Sequence, residues 1–266
     1  MSVVKLRDVQ IAYDDVGAGE AVVLLHSYPL NRTMWRAQIE VLRNRYRIIT
    51  PDLRGHGETI MRAQDVATIE EMAKDVAALM DHLQIERATI GGLSMGGYVT
   101  LAFYHLFRDR VRALVLADTR AESDEEEGRR KRETNAQRAL KEGMEPLADE
   151  SEKKTLAPQT RSNNPELVAR VRQMMLKTKP EGAAAALRAM AERCDHRDLL
   201  SKINVPTLII VGSLDEITPI SNAEQTHKAI KNSRLVVIAG AAHFSNLERP
   251  EAFNRALEEF LTSLQN

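Results

Sequence analysis

The sequence predicts an α/β fold: a mostly parallel eight-stranded sheet with helices on both faces and a helical cap inserted before the last two core strands. Three observations predict it. Eight short runs with strand character are punctuated by turns, and six of them are almost wholly apolar. Helix-period segments separate most of the apolar runs. Between Asp118 and Asn204 the strand signal stops while the helical signal continues. Strands buried on both faces lose polar alternation, and their alternation with helices argues for parallel pairing.

The elements follow in chain order. "VVKL" and "QIAYDDV" read as an antiparallel entry into the sheet, and the turn "GAGE" delivers the chain to "AVVLLH". "YRIIT" follows as a second apolar run. In "TIEEMAKDVAALMDHL", Ile69, Met72, Val76, Leu79 and Leu83 recur at helical spacing and mark one buried face. "ATIGG" is a strand, "MGGYVTLAFYHLF" a helix and "VRALVLA" a strand. Then "EEEGRRKRETNAQRAL", "PELVARVRQMML" and "PEGAAAALRAMAERC" read as helices, with caps or prolines at their starts. "PTLIIVG" and "RLVVIAG" complete the sheet. The expected organisation is a core in two parts, residues 1–118 and 199–266, with the cap over 119–198.

Within the cap, Glu125, Glu126 and Glu127 stand four residues before Arg129, Arg130 and Lys131. The signs should pair along a solvated helix face and leave no basic patch.

The 37 basic and 38 acidic residues nearly cancel, giving a formal net charge of -1, so nothing directs the chain to nucleic acid or to an anionic membrane. The expected partner is a small molecule. Cys194 is the only cysteine, so no disulfide can form within the chain. The opening "MSVVKLRDVQ" lacks an apolar leader, and no run reaches the length that spans a bilayer, so a cytoplasmic protein is expected.

Four glycines crowd around one serine in "ATIGGLSMGGYVTL". Gly92-Leu93-Ser94-Met95-Gly96 fits G-x-S-x-G, a pattern that arises by chance in roughly one chain in ten of this length. Its setting adds the weight: a buried strand before it, a helix after it, and glycines where strand and helix pass close together. That turn exposes Ser94 at a helix N-terminus, where free N–H groups favour developing negative charge. No GK[ST] follows for a P-loop, and the spacing does not give G-x-G-x-x-G.

A serine hydroxyl becomes a useful nucleophile only when a positioned base takes its proton and a third group steadies that base. Asp215 and His243 lie in the loops after the last two apolar runs, in the chain order Ser, acid, His. Asp118, also just past a strand, is the reserve acid for the case in which Asp215 simply caps a helix beginning near Thr218. His196 lies beside Asp195 and Asp198 without a second histidine at ligand spacing, so no metal is expected.

With these residues in view, the chain resembles the α/β-hydrolase superfamily, in particular its small cap-bearing bacterial esterases, lactonases and haloperoxidase-like members. The likeness runs from about Val22 to Phe260 and includes "HSYP" and "PDLRGHGET". It implies an α/β-hydrolase fold and a serine hydrolase without cofactor, acting on a small to medium ester or lactone through Ser94, His243 and Asp215. The oxyanion hole would be formed by the backbone N–H groups of Met95 and Tyr28. His56 would brace the site without moving protons.

Relatives usually carry His-Gly where this chain has His26-Ser27. If that glycine has positive φ, Ser27 is strained there; its hydroxyl would otherwise be offered to the substrate pocket. Trp35 either borders the entrance or packs in the core. Met174, Met175 and Leu176 line the pocket or, alternatively, pack in the cap.

A serine nucleophile is incompatible with the alkyl-ester chemistry of haloalkane dehalogenases and epoxide hydrolases. The alternatives are enol-lactonase or C–C bond hydrolase of aromatic degradation, with perhydrolase side activity, and a non-catalytic ligand-binding protein on the same fold.

Overall fold

The structure is a computed structural model that describes residues 1–61 and 67–265. Its sheet holds β1 (Ser2–Leu6), β2 (Val9–Val16), β3 (Glu20–Leu25), β4 (Tyr46–Pro51), β5 (Ala88–Leu93), β6 (Val111–Ala117), β7 (Thr207–Gly212) and β8 (Ser233–Ile238), in the order β1-β2-β4-β3-β5-β6-β7-β8. The β1–β2 and β2–β4 pairings are antiparallel, and from β4 to β8 every pairing is parallel. The first two runs therefore form the expected antiparallel entry.

Side-chain alternation sends each central strand into two cores. Val23 and Leu25 of β3, Leu114 and Leu116 of β6, and Ile209 and Val211 of β7 enter one; Val22, Leu24, Ala113, Val115, Leu208 and Ile210 enter the other. Helices α1 (Arg36–Leu42) and α2 (Ile69–His82) cover opposite faces. In α2 the expected stripe is buried at Ile69, Met72, Val76 and Leu79, with Leu83 partly buried at its end. Thr68 starts the helix by accepting from the Glu71 N–H at 3.0 Å, a cap worth about 1 kcal/mol. Helix α3 (Met95–Phe107) packs on α2.

Between β6 and β7 the chain forms α4 (Glu126–Glu142), α5 (Glu145–Thr155), α6 (Pro158–Asn163), α7 (Pro165–Lys177), α8 (Pro180–Ala191) and α9 (Arg197–Leu200). Helices α10 (Ile220–Ala229), α11 (Ser245–Glu248) and α12 (Pro250–Ser263) follow β7 and β8. Two departures from the sequence reading have plain causes. Helices α5 and α6 add to the three expected segments, each opening with proline in its first turn. Strand β8 is not buried on both faces: it is the sheet edge, and Val237 is 43% exposed.

The charge run on α4 also departs from expectation. Of the three i to i+4 pairings, only Glu126 with Arg130 forms among the described residues. Arg132 turns to Asp124 instead, and Lys131 makes no ion pair among the described residues. Met174 and Met175 pack into the core, with Leu176 partly buried against it. Among the described residues no helix is long and apolar enough to cross a membrane.

Candidate active site

Strand β5 runs parallel to β3 on one side and β6 on the other, and its end reverses sharply into α3 at Ser94. Ser94 sits at φ 55°, ψ -112°, a conformation that costs an L-residue roughly 1–3 kcal/mol. Neighbouring bonds hold it there. Its N–H donates to the Ala117 carbonyl at 2.9 Å, and its own carbonyl accepts from Thr119 Oγ1 at 2.9 Å.

The flanking glycines answer to backbone crowding. A Cβ on Gly92 would lie 2.2 Å from the carbonyl carbon and oxygen of Gly96, while one on Gly96 would lie 2.1 Å from the Leu25 carbonyl oxygen and 2.9 Å from that of His26. Strand, turn and helix can close up only because both side chains are missing.

At this turn Ser94 Oγ lies 2.8 Å from His243 Nε2, and His243 Nδ1 lies 2.8 Å from Asp215 Oδ2. The carboxylate fixes the tautomer: Nδ1–H donates to Asp215, leaving Nε2 to accept from the serine hydroxyl. Asp215 also ties up its own loop. Its Oδ1 accepts from the N–H groups of Ile217 (2.8 Å) and Thr218 (3.0 Å), and its Oδ2 accepts from Thr218 Oγ1 at 2.6 Å. The capping reading is corrected: the next helix begins at Ile220 after Pro219 with no side-chain cap, so Asp215 Oδ1 closes a turn of its own loop while Oδ2 serves the histidine.

The sequence marks Thr218 only as a helix start; its part in holding Asp215 has as its one signal a threonine three residues after the aspartate. Burial opposes an imidazolium at His243, but the Asp215 charge and its hydrogen bond outweigh that, so the pKa lies above the usual 6.5. Burial likewise opposes the Asp215 carboxylate, while the His243 charge and the bonds from His243 and Thr218 hold its pKa below 3.8.

Asp118 has a different post. Fully buried, it accepts from the Gly212 N–H at 2.8 Å and from Ser245 Oγ at 2.5 Å, with no hydrogen bond to His243. Burial, then the nearby Asp215 charge, pushes its pKa up to about 8.

The loop after β3 lies against the start of α3, at the contact that Gly96 permits. Among the described residues neither the Met95 nor the Tyr28 backbone N–H has a hydrogen-bond acceptor. His26 fastens this loop: its Nε2 accepts from the Leu53 N–H at 2.9 Å, so its Nδ1–H donates to the Ser27 carbonyl at 2.9 Å. Burial lowers the His26 pKa to about 4 and that of His56 to about 3. The neutral His56 ring packs 5.0 Å from His26 and edge-on to Tyr28 at 6.0 Å.

Two expectations are corrected. Ser27 is not among the residues with positive φ; it is fully buried, its N–H points to Met34 Sδ, and its hydroxyl donates to the Tyr28 carbonyl at 3.2 Å. It therefore offers no hydroxyl to a substrate and carries no left-handed strain. Trp35 is 1% exposed and packs on Phe253 with ring centroids 6.0 Å apart, so it belongs to the core beneath the sheet and not to an entrance. His196 pairs with the His105 ring, and among the described residues no group of three or more His, Cys, Asp or Glu could hold a metal ion.

A nucleophile, a base with a fixed tautomer, a buried carboxylate and two free N–H groups are the parts needed to add an oxygen to a carbonyl and stabilise the alkoxide that forms. Comparison with known proteins places the fold among those already solved. A family model for the alpha/beta hydrolase fold matches residues 20–250. A thermophilic esterase from Thermogutta terrifontis, solved with malate bound, is 41% identical with a TM-score of 0.97, covering 100% of both chains. The enol-lactonase from Burkholderia xenovorans LB400 is 30% identical with a TM-score of 0.91, covering 98% of this chain and 100% of that one. The 3-oxoadipate enol-lactonase 2 of Acinetobacter baylyi is 33% identical over 254 residues, which are 95% of this chain and 93% of that protein.

Proposed function

The chain belongs to the α/β-hydrolase family, and from that premise we propose that it cleaves small to medium carboxylic esters through an acyl-enzyme on Ser94. The observation that carries this reading is the unbroken line of hydrogen bonds from Asp215 through His243 to Ser94, at 2.8 Å in each step. His243 Nε2 takes the hydroxyl proton as Ser94 Oγ attacks the carbonyl carbon. Asp215, held ionised, stabilises the imidazolium. The tetrahedral alkoxide is met by the N–H groups of Met95 and Tyr28, and the N-terminal dipole of α3 adds to them. His243 then gives its proton to the leaving alcohol, and a water activated by the same ring releases the acid.

In this reading residues 119–198 roof the site and set which esters enter. The single cysteine, exposed Cys194, suits a reducing cytoplasm. A second reading, lactone opening, has specific support in the two enol-lactonases, because a lactone is a cyclic ester and can use the same acyl-enzyme. Mixing enzyme with a short p-nitrophenyl ester should give a burst of p-nitrophenol that Ser94→Ala abolishes. A wild-type enzyme without burst or turnover on short esters and simple lactones would refute the proposal. Comparing kcat/KM across both substrate sets ranks the two readings.

A further inference from the structure

The cavity under the interposed helices carries charge that ester cleavage alone does not use. It encloses about 310 Å³. Ser94 and His243 are not in its lining, but neighbours on their loops are: Tyr28; Ile217, two residues past Asp215; and Arg120, next to the threonine whose hydroxyl bonds the Ser94 carbonyl. Lys131 and Arg132 of α4 and Lys154 of α5 stand in its wall. Four cationic side chains thus face two acids, Asp124 and Glu150.

Both acids are also engaged from outside the cavity, Asp124 by Arg193 at 2.9 Å and Glu150 by Arg138 at 2.8 Å. Lys131 and Lys154 make no ion pair among the described residues and act on Glu150 only through longer-range attraction. The basic patch that the spacing on α4 argued against is therefore present at the rim of this cavity, where Lys131 and Lys154 are exposed.

Two donors in this lining are buried without an acceptor among the described residues, Tyr28 Oη and Arg120 Nε. Arg120 bonds Asp124 through Nη2 at 2.6 Å, which leaves the Nε–H side of its fork free. Burial raises the Tyr28 phenol well above its ordinary pKa, so it stays a donor. An orphaned guanidinium N–H and phenol O–H beside unpaired lysines call for an anionic acceptor.

We propose that this cavity is a carboxylate subsite, and that the preferred ester carries a second, anionic end: the half-ester of a short diacid. The inference rests on the hydrolase reading above and names the substrate class of that site. With the reacting carbonyl between Ser94 and the Tyr28 N–H, a chain of a few carbons would lead past the Tyr28 ring to the cations.

The test compares kcat/KM for p-nitrophenyl hemiglutarate with that for p-nitrophenyl hexanoate, which is similar in size and lacks the carboxylate. The wild type should favour the acidic ester, and Arg120→Gln and Lys131→Gln should each lower the acid-to-neutral ratio about tenfold or more. Asp124 keeps Arg132 and Arg193 when Arg120 is replaced, and Lys131→Gln breaks no ion pair, so both variants should fold. A wild type that takes the hexanoate and rejects the hemiglutarate, or a ratio unmoved in both variants, overturns the subsite and leaves the esterase reading standing.

Binding provides a readout without turnover. Glutarate titrated calorimetrically into Ser94→Ala should bind, and should bind about tenfold more weakly when Arg120→Gln is added. Glutarate binding with neither ester hydrolysed by the wild type would support the subsite and refute the esterase. No glutarate binding would overturn the subsite.

Discussion

Replacing Gly96 by alanine puts one methyl group where the start of α3 meets the loop after β3. The added Cβ would lie 2.1 Å from the Leu25 carbonyl oxygen and 2.7 Å from its carbon, with the His26 carbonyl oxygen at 2.9 Å. Real contacts of this kind lie beyond 3.0 Å, and the obstacles are backbone, so helix and loop must part by about 1 Å. Overpacking of this sort costs about 1–3 kcal/mol, and the rigidity of the neighbours argues for the upper end. At about 2–4 °C per kcal/mol for a domain of this size, the Tm should fall by about 6–12 °C.

The same parting separates the Met95 N–H from the Tyr28 N–H. A misplaced oxyanion donor costs about 10²–10³ in kcat, while KM for a short ester should change little because the donors act on the alkoxide. Thermal unfolding and steady-state kinetics on p-nitrophenyl butyrate read both effects. A Gly96→Ala enzyme with an unshifted Tm and a kcat within about threefold of wild type would refute the reasoning about this contact.

Three further outcomes are expected. kcat/KM should rise with pH as the His243 imidazolium gives up its proton, with a midpoint above 6.5; a wild-type midpoint below 6.5 would contradict the dominance of Asp215 over burial. Asp215→Asn should lower kcat by about 10³–10⁴-fold, whereas Asp118→Asn should stay within about tenfold, since Asp118 bonds Gly212 and Ser245 and not His243; equal losses would contradict the assignment of the acid. Trp35→Ala should cost about 3–5 kcal/mol of stability in denaturant unfolding and leave KM for short esters nearly unchanged, and a large KM change at native stability would return Trp35 to the pocket.

Where burial and chain order dictate structure, the sequence was readable. Apart from the edge strand β8, the apolar runs became strands because both faces of a parallel sheet are covered, and Ser94, Asp215 and His243 converge because the loops that carry them all leave the same edge of that sheet. The glycines at 92 and 96 were legible for a similar reason, since close backbone approach leaves few other residues possible. Legibility failed where a residue's fate depends on which neighbour it meets. Spacing on α4 says which charges are able to pair along the helix, and it does not say that Lys131 and Arg132 face a cavity built from α5 and the site loops. Trp35 has the same character in a wall or a core, and only the partner Phe253 decides. Whether Ser27 needed positive φ was a question about the loop's path, which the buried contacts of His26 and Met34 fix. Helices α5 and α6 escaped notice because one is mostly charged and the other six residues long, too little for an apolar stripe to emerge.

The central claim is that Ser94 is made nucleophilic by His243 and Asp215, and covalent trapping tests it most directly. Protein treated with diethyl p-nitrophenyl phosphate should gain one diethylphosphoryl group, mapped by peptide mass spectrometry to Ser94, and His243→Ala should slow the labelling by orders of magnitude. Labelling at another residue, or labelling of Ser94 at the same rate without His243, would contradict the account.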